Sequence, residues 1–249
     1  MRVRGSLVLA YHDIGDDPEN RTRYYVSPGR LREQLLTLAG FGLRYVPLAE
    51  LLGRLEAGIP ADGLVSVVFD DGLVGVHHHA LPVLAELGLP ATVFVVADRL
   101  GTDPPWWSGA ARTMTAREVA EVAEAGMAIE SHTLSHPSLP SLGARALTEE
   151  LRASKARLEE LVQEEVSVIA YPFGHFDDRV CKTAAETGYR AGFSFLNGRV
   201  TLGQDPFRYP RLNMWSGQRR WRLAYHVARP PESWPPTQVK QVRHRLVIP

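Results

Sequence analysis

The sequence lacks most of the features that would place a chain by composition alone. Cys181 is its only cysteine, so no disulfide can close within it, and the framework of a small cross-linked secreted domain is excluded. Its setting, Arg179-Val180-Cys181-Lys182-Thr183-Ala184-Ala185, reads as a helix in which the thiol packs. No apolar run approaches the ~20 residues of a membrane-crossing helix. Net charge is missing too: 28 Lys and Arg face 28 Asp and Glu, so no global field draws the chain to nucleic acid or to an anionic bilayer. Only 216–249 is unbalanced, with Arg219, Arg220, Arg222, Arg229, Lys240, Arg243 and Arg245 against Glu232. That stretch reads as a solvated basic tail, with contact to an anionic group as the alternative. A leader pattern is also short. Met1-Arg2-Val3-Arg4 is basic, but Gly5 to Ala10 falls below the ~7–15 apolar residues of a signal segment and reads instead as a first strand. A cytoplasmic location is the expectation.

What is present is regular alternation. With 249 residues, 45% of them apolar, the chain can bury a full core, and α/β barrels reach this size as one unit. Strands are expected at Leu7–His12, Val65–Asp70, Thr92–Ala97, Ala128–Ser131, Val168–Pro172, Ala191–Phe195 and Arg208–Met214. Helices fall between most of them. Ser27-Pro28 caps one that carries Leu31, Leu35 and Leu38 on one face. Others run from His79 to Gly88, from the capping box Thr115-Ala116-Arg117-Glu118 to Gly126, from Arg145 to Val162, and from Asp177 or Asp178 to Gly188. Strands alternating with helices imply a parallel sheet with crossovers, here a distorted (β/α) barrel of about seven parallel strands in a single domain. Residues 1–214 would form the barrel, and 215–249, with Pro230-Pro231 and Pro235-Pro236, an appendage of the same domain.

Chemistry collects at the C-terminal ends of barrel strands. His12-Asp13, Asp70-Asp71, His132 and Tyr171-Pro172-Phe173-Gly174 all fall there. In Val68-Phe69-Asp70-Asp71-Gly72, two adjacent carboxylates end a buried strand and Gly72 permits a sharp turn, an arrangement in which one carboxylate holds a cation and the other a proton. Ser131-His132-Thr133-Leu134-Ser135-His136 adds two imidazoles four residues apart. Imidazoles plus one carboxylate are the usual ligands of a catalytic Zn²⁺. No Glu follows the first histidine, so the base of an H-E-x-x-H helix is missing, and the Asp of the pair that does not hold the cation is its natural substitute. His77-His78-His79 reads as solvated or supporting, since consecutive residues at a helix start point in different directions. Trp106-Trp107 lies in a Pro-rich loop, as packing or, through Trp107, as a sugar-stacking platform.

These motifs resemble the polysaccharide deacetylase family, carbohydrate esterase family four, also called the NodB-homology domain. Val68-Phe69-Asp70-Asp71-Gly72 resembles its first motif, Ser131 to His136 its second, and Tyr171-Pro172-Phe173-Gly174 the core of its third. Tyr11-His12-Asp13-Ile14, with Gln34-Leu35 and Leu38 before Gly42, resembles the poly-N-acetylglucosamine deacetylase branch. The likeness runs from about residue 7 to 214.

The resemblance implies hydrolysis of N-acetyl groups on amino sugars with one divalent ion, Zn²⁺ by preference and Co, Ni or Mn as substitutes. Asp71, His132 and His136 would be the ligands and Asp70 the base. A backbone N–H near Phe173 would hold the oxyanion. Tyr171, Pro172, Phe173, Gly174, Arg211 and Trp107 would line the substrate site, with Arg211 also able to orient a carboxylate such as Asp70. Two departures stand out: Ala170 replaces the arginine of the third motif, and Leu223-Ala224-Tyr225-His226 is one residue too long for the late L-x-H motif. The proton donor is then His12, ahead of His175, because an imidazole's ordinary pKa near 6.5 suits proton delivery at neutral pH. The expected substrate is a carbohydrate or glycoconjugate: an oligosaccharide, a glycoside intermediate or a lipid-linked sugar. The alternatives are a hydrolase of another carbon–nitrogen bond (formamide, cyclic imide or ureide) and a non-catalytic carbohydrate-binding barrel.

Overall fold

The computed structural model describes residues 3–17 and 24–229. In chain order these form β1 (Leu7–Tyr11), β2 (Asp13–Ile14), β3 (Tyr25–Val26), α1 (Pro28–Gly40), β4 (Arg44–Tyr45), α2 (Leu48–Glu56), β5 (Leu64–Phe69) and α3 (Leu81–Leu87). There follow β6 (Ala91–Val95), α4 (Ala116–Glu124), β7 (Ala128–Ser131), α5 (Ala144–Val162), β8 (Val168–Ala170), α6 (Asp178–Glu186), β9 (Ala191–Asn197), β10 (Tyr209–Asn213) and α7 (Arg220–Ala228).

The seven strands expected from the apolar runs close into a parallel ring, β1-β5-β6-β7-β8-β9-β10, with β10 returning to β1 through Leu9↔Leu212 and Ala10↔Asn213. β4 is an eighth strand outside the ring, paired to the foot of β5. Strand alternation divides the apolar residues into two layers. Val8, Ala10, Val68, Phe94, Val168, Ala170 and Phe193 fill the barrel interior. Leu7, Leu9, Tyr11, Val65, Val67 and Phe69 point outward against helix residues such as Leu31, Leu35, Val119, Leu151 and Val180. The period of two, continued past Phe69, carries Asp70 onto the interior face at the strand's C-terminal end.

Helix ends follow the expected chemistry. Ser27 caps α1 with Pro28 in its first turn, Thr115 and Glu118 form a reciprocal capping box on α4, and Asp177 caps α6. The helix expected from His79 differs, because Val76–Ala80 is a π turn and α3 begins only at Leu81. α2 and α7 were not anticipated. α7 hides inside the arginine-rich stretch, where only Leu223 and Val227, four residues apart, are buried. The buried Arg199 closes its end, donating to the carbonyls of His226 and Val227 at 2.8 and 2.5 Å, a cation at a helix C-terminus. Residues 230–249 of the appendage lie outside the described residues.

Glu130 on β7 gives the fold a pH dependence. Its Oε2 accepts the amides of Ser167 and Val168 at 2.8 and 2.7 Å, and burial pushes its carboxyl up to about 7. The folded state therefore holds this proton more tightly than the unfolded chain. Stability falls as pH rises from about 4.5 to about 7, by at most about 3 kcal/mol, and this contribution is flat outside that window. Glu130→Gln keeps an acceptor oxygen for the two amides and removes the titration. Denaturation midpoints at pH 5 and 8 should lie closer together in the variant than in the parent.

Candidate active site

At the C-terminal mouth of the barrel, Asp70 and Asp71 diverge. Asp70 ends the interior face of β5, where Arg211 of β10 meets it end-on: Nη1 to Oδ1 at 2.6 Å and Nη2 to Oδ2 at 2.8 Å. The third arm of the guanidinium, Nε, donates to the Ser194 carbonyl at 2.9 Å. Both side chains are buried. Burial alone would raise the Asp70 carboxyl. The Arg211 charge, with His132 and His12, overrides it and holds the group well below the usual carboxylate range, so Asp70 is an anion at every working pH. Arg211 supplies from β10 the cation that Ala170 does not supply from β8. Being wholly buried, it reaches no substrate, and its place is behind Asp70.

Asp71 takes a left-handed backbone, φ 67°, which swings its carboxylate away from Asp70. His132 Nε2 lies 3.5 Å and His136 Nε2 3.2 Å from its Oδ1. Among the described residues, Asp71, Thr133, His136, Gln163 and Phe173 are the non-glycine residues with positive φ, and all but Gln163 belong to this site. Such conformations cost about 1–3 kcal/mol each and persist where surrounding contacts over-determine them. The contacts are present. Thr133 N–H donates to Ser131 Oγ, His136 N–H to Thr133 Oγ1, and Ser135 N–H to Glu150 of α5 at 2.6 Å.

The trio suits a divalent ion. His132 Nδ1 sits 2.7 Å from the Ala170 carbonyl, which can only accept, so Nδ1 carries the proton and Nε2 is left as a donor lone pair toward Asp71. Burial lowers His132 to about 4, which keeps it in the neutral, ligating form. One donor atom from each of Asp71, His132 and His136 lies within 4.8 Å of the others, a mixed N/O set of the kind zinc prefers.

The loop over the site contributes a residue that the sequence reading passed over in favour of its neighbour. Trp106 Nε1 donates to Asp71 Oδ1 at 3.0 Å, and its ring stacks on His136 with centroids 4.1 Å apart and 17° between planes. The loop is stitched down by Met114 N–H to the Gly72 carbonyl, Val74 N–H to the Arg112 carbonyl and Ala111 N–H to Asp13 Oδ2. Trp106→Phe keeps the stack and deletes the N–H. Loss of such a ligand-orienting bond typically costs about 10–100-fold in metal affinity, which competition against a chelator would measure. An unchanged affinity would leave Trp106 a packing residue only.

His12 stands beside Asp70, Nε2 to Oδ2 at 3.7 Å, ringed by Tyr24, Trp107 and Phe195 at centroid distances of 5.0, 5.8 and 5.5 Å. Burial lowers its pKa from the ordinary value, which favours the neutral imidazole in the resting site. His175 sits on the rim, its Nδ1 3.0 Å from Ser138 Oγ and its ring 5.6 Å from Phe173. Trp107 meets His12 edge-on, as a platform beside the site would. Tyr171 is otherwise than expected. Its ring is buried against Phe176 and its hydroxyl donates to the Phe207 carbonyl at 2.9 Å, so the side chain faces the core; Pro172 is buried as well. Phe173 is the exposed member of that motif, 48% accessible, with its ring 4.7 Å from His136. The turn needs Gly174, φ 69°, because a Cβ there would lie 2.3 Å from that of Phe195. Tyr24 and Phe195 were not singled out as site residues in the sequence, since nothing in their spacing marks them.

Residues 57–192 match the polysaccharide deacetylase family. YxkH of Bacillus subtilis, whose name places it with the polysaccharide deacetylases, is 28% identical over 158 residues, 64% of this chain and 54% of that protein; the chain thus spans about half the length of that relative. The poly-β-1,6-N-acetyl-D-glucosamine N-deacetylase of Staphylococcus epidermidis is 23% identical over 228 residues, 83% of this chain and 78% of its own. Among solved structures, the Streptococcus pyogenes deacetylase PplD, in complex with acetate, shares the fold with a TM-score of 0.77 at 24% identity, covering 91% of this chain and 98% of that one. With more than half of its length matched to the family, and Asp70, Asp71, His132, His136 and the Tyr171–Gly174 turn all inside the matched stretch, this chain belongs to the polysaccharide deacetylase family.

Proposed function

We propose that the chain is a metal-dependent N-deacetylase that hydrolyses the acetamido group of an amino sugar to acetate and the free amine. The observation that carries this is one barrel mouth holding both a carboxylate kept anionic by Arg211 and, beside it, a carboxylate–imidazole trio with its donor atoms converging. Asp71, His132 and His136 would hold the ion, zinc by preference. When bound, it supplies Lewis-acid polarisation of the acetyl carbonyl and acidification of a water.

The remaining work falls to side chains and backbone. Asp70 accepts the proton of the attacking water. In the Tyr171–His175 turn, the amides of Gly174 and His175 are spent on the carbonyls of Tyr171 and Pro172, and proline has no N–H. The amide of Phe173 is therefore the donor this segment offers to the developing oxyanion. His12 lies one short step from Asp70, so the proton taken from water passes to its imidazole and on to the leaving nitrogen. Trp107, Phe195 and Phe173 offer ring faces against which a pyranose can pack. The staphylococcal relative's name supports a β-linked N-acetylglucosamine as the sugar, presented as an oligosaccharide, a glycoside intermediate or a lipid-linked unit.

Acetate release from a panel of acetamido sugars, paired with elemental analysis, tests the reading. His132→Ala and His136→Ala should each abolish metal-dependent acetate release and weaken ion binding. Undiminished release in both would overturn the assignment.

A further inference from the structure

The three consecutive histidines do not diverge as a regular helix would have them. Val76–Ala80 is a π turn, a rare geometry that concentrates at functional sites. Its wider turn brings His77 and His78 to the same side, ring centroids 5.2 Å apart, facing α4. His79 alone turns elsewhere, toward Asp16 at 3.7 Å. From α4, Glu121 Oε2 lies 2.9 Å from His77 Nε2 and Glu118 Oε1 lies 3.6 Å from His78 Nε2.

We propose that His77, His78 and Glu118 form a second divalent-metal site, with Glu121 in reach as a fourth ligand. One donor atom from each of the three lies within 4.8 Å of the others. Donors about 2.1 Å from a tetrahedral zinc stand about 3.4 Å apart, so closure needs only small rotations of partly exposed side chains. The donor set, two imidazoles and a carboxylate from two separate elements, repeats in type the trio at the barrel mouth. It is spatially distinct from that trio, which uses β5 and the loop after β7.

Two arginines compete with the ion. Arg112 grips Glu118 with both Nη atoms, at 2.8 and 2.7 Å, and Arg117 holds the other oxygen of Glu121 at 2.8 Å. Glu118 Oε2 remains committed to Arg112 and to the Thr115 cap, which leaves Oε1 as the ligating atom, shared with one arm of Arg112. The site is therefore weaker than the buried trio and is set by Arg112. Its consequence is structural. An ion there ties the turn that follows Asp71 to α4, and through Arg112, whose carbonyl accepts Val74 N–H, to the loop that carries Trp106.

The metal-stripped full chain, titrated with Zn²⁺ against a chelator of known affinity and without substrate, should take up two equivalents. His77→Ala/His78→Ala, which removes only partly exposed side chains, should take up one. His132→Ala/His136→Ala should keep the other and still show a zinc-induced rise in Tm, so a failure of this site and a failure of the active-site trio appear in different variants. Arg112→Gln should tighten the second equivalent several-fold. Two equivalents persisting in His77→Ala/His78→Ala, a single equivalent in the parent, or an Arg112→Gln affinity that is unchanged or weaker would each overturn the proposal.

Discussion

Asp70→Asn should lose about 10²–10⁴-fold in turnover while still binding the active-site ion. An amide cannot take a proton from water, and Asp71, His132 and His136 are untouched by the change. The substitution is not silent for stability. Asn offers Arg211 one acceptor in place of two, and its amide N–H₂ would face a guanidinium arm, so a buried cation is left partly uncompensated. A lowered Tm is therefore expected alongside the lost turnover. Metal content and turnover must be read on the same folded sample, and the pH profile separates the two effects: a merely destabilised enzyme keeps the shape of its rate profile. Parent-level turnover on a true substrate would move the base to another residue.

The barrel was legible because its signals are local. Runs of four to seven residues, bounded by caps and glycines, placed all seven ring strands to within a few residues. That Asp71, His132 and His136 lie together was legible because the spacing of their motifs is itself local. Arg211 was expected to be able to orient Asp70, and ring closure, with β10 returning to β1, makes that pair across 141 positions. What could not be read lies in the partners that the backbone supplies and in backbone conformation. A reading that looked for the arginine beside Pro172 found Ala170 and a gap, whereas Ala170 contributes its carbonyl to His132. Both His12 and Arg211 fall outside the stretch that matches the family, so the partners of Asp70 come from the two ends of the barrel. Trp106 and Trp107 are indistinguishable by composition, and only the fold of their loop turns the first onto Asp71 and His136. The π turn at Val76–Ala80 had no signature at all, and with it went the expectation that His77 and His78 point apart.

Arg211→Met tests the other half of the Asp70 pair, and its expected effect on stability is the larger. Methionine fills much of the volume beneath Phe94, whose ring lies 5.9 Å from the guanidinium carbon, but it returns none of the hydrogen bonds to Asp70 or Ser194. Removing one partner of a buried ion pair typically costs about 3–5 kcal/mol, chiefly because the other charge stays buried without compensation. The sign of the pH dependence should also reverse. In the parent, Asp70 is held below the carboxylate range, so its contribution to stability is complete above about pH 4 and is lost as pH falls further. Without Arg211 the dominant influence is burial, which raises the carboxyl. The variant is then penalised as pH rises through the shifted value, and the acid limb of kcat/KM moves upward with it. Arg211→Lys returns the charge without the two-armed grip and should recover part of both effects. Thermal unfolding between pH 4 and 8 with a parallel rate profile decides the matter: a methionine variant with the parent's Tm and acid limb would mean that Arg211 neither holds Asp70 in place nor keeps it ionised.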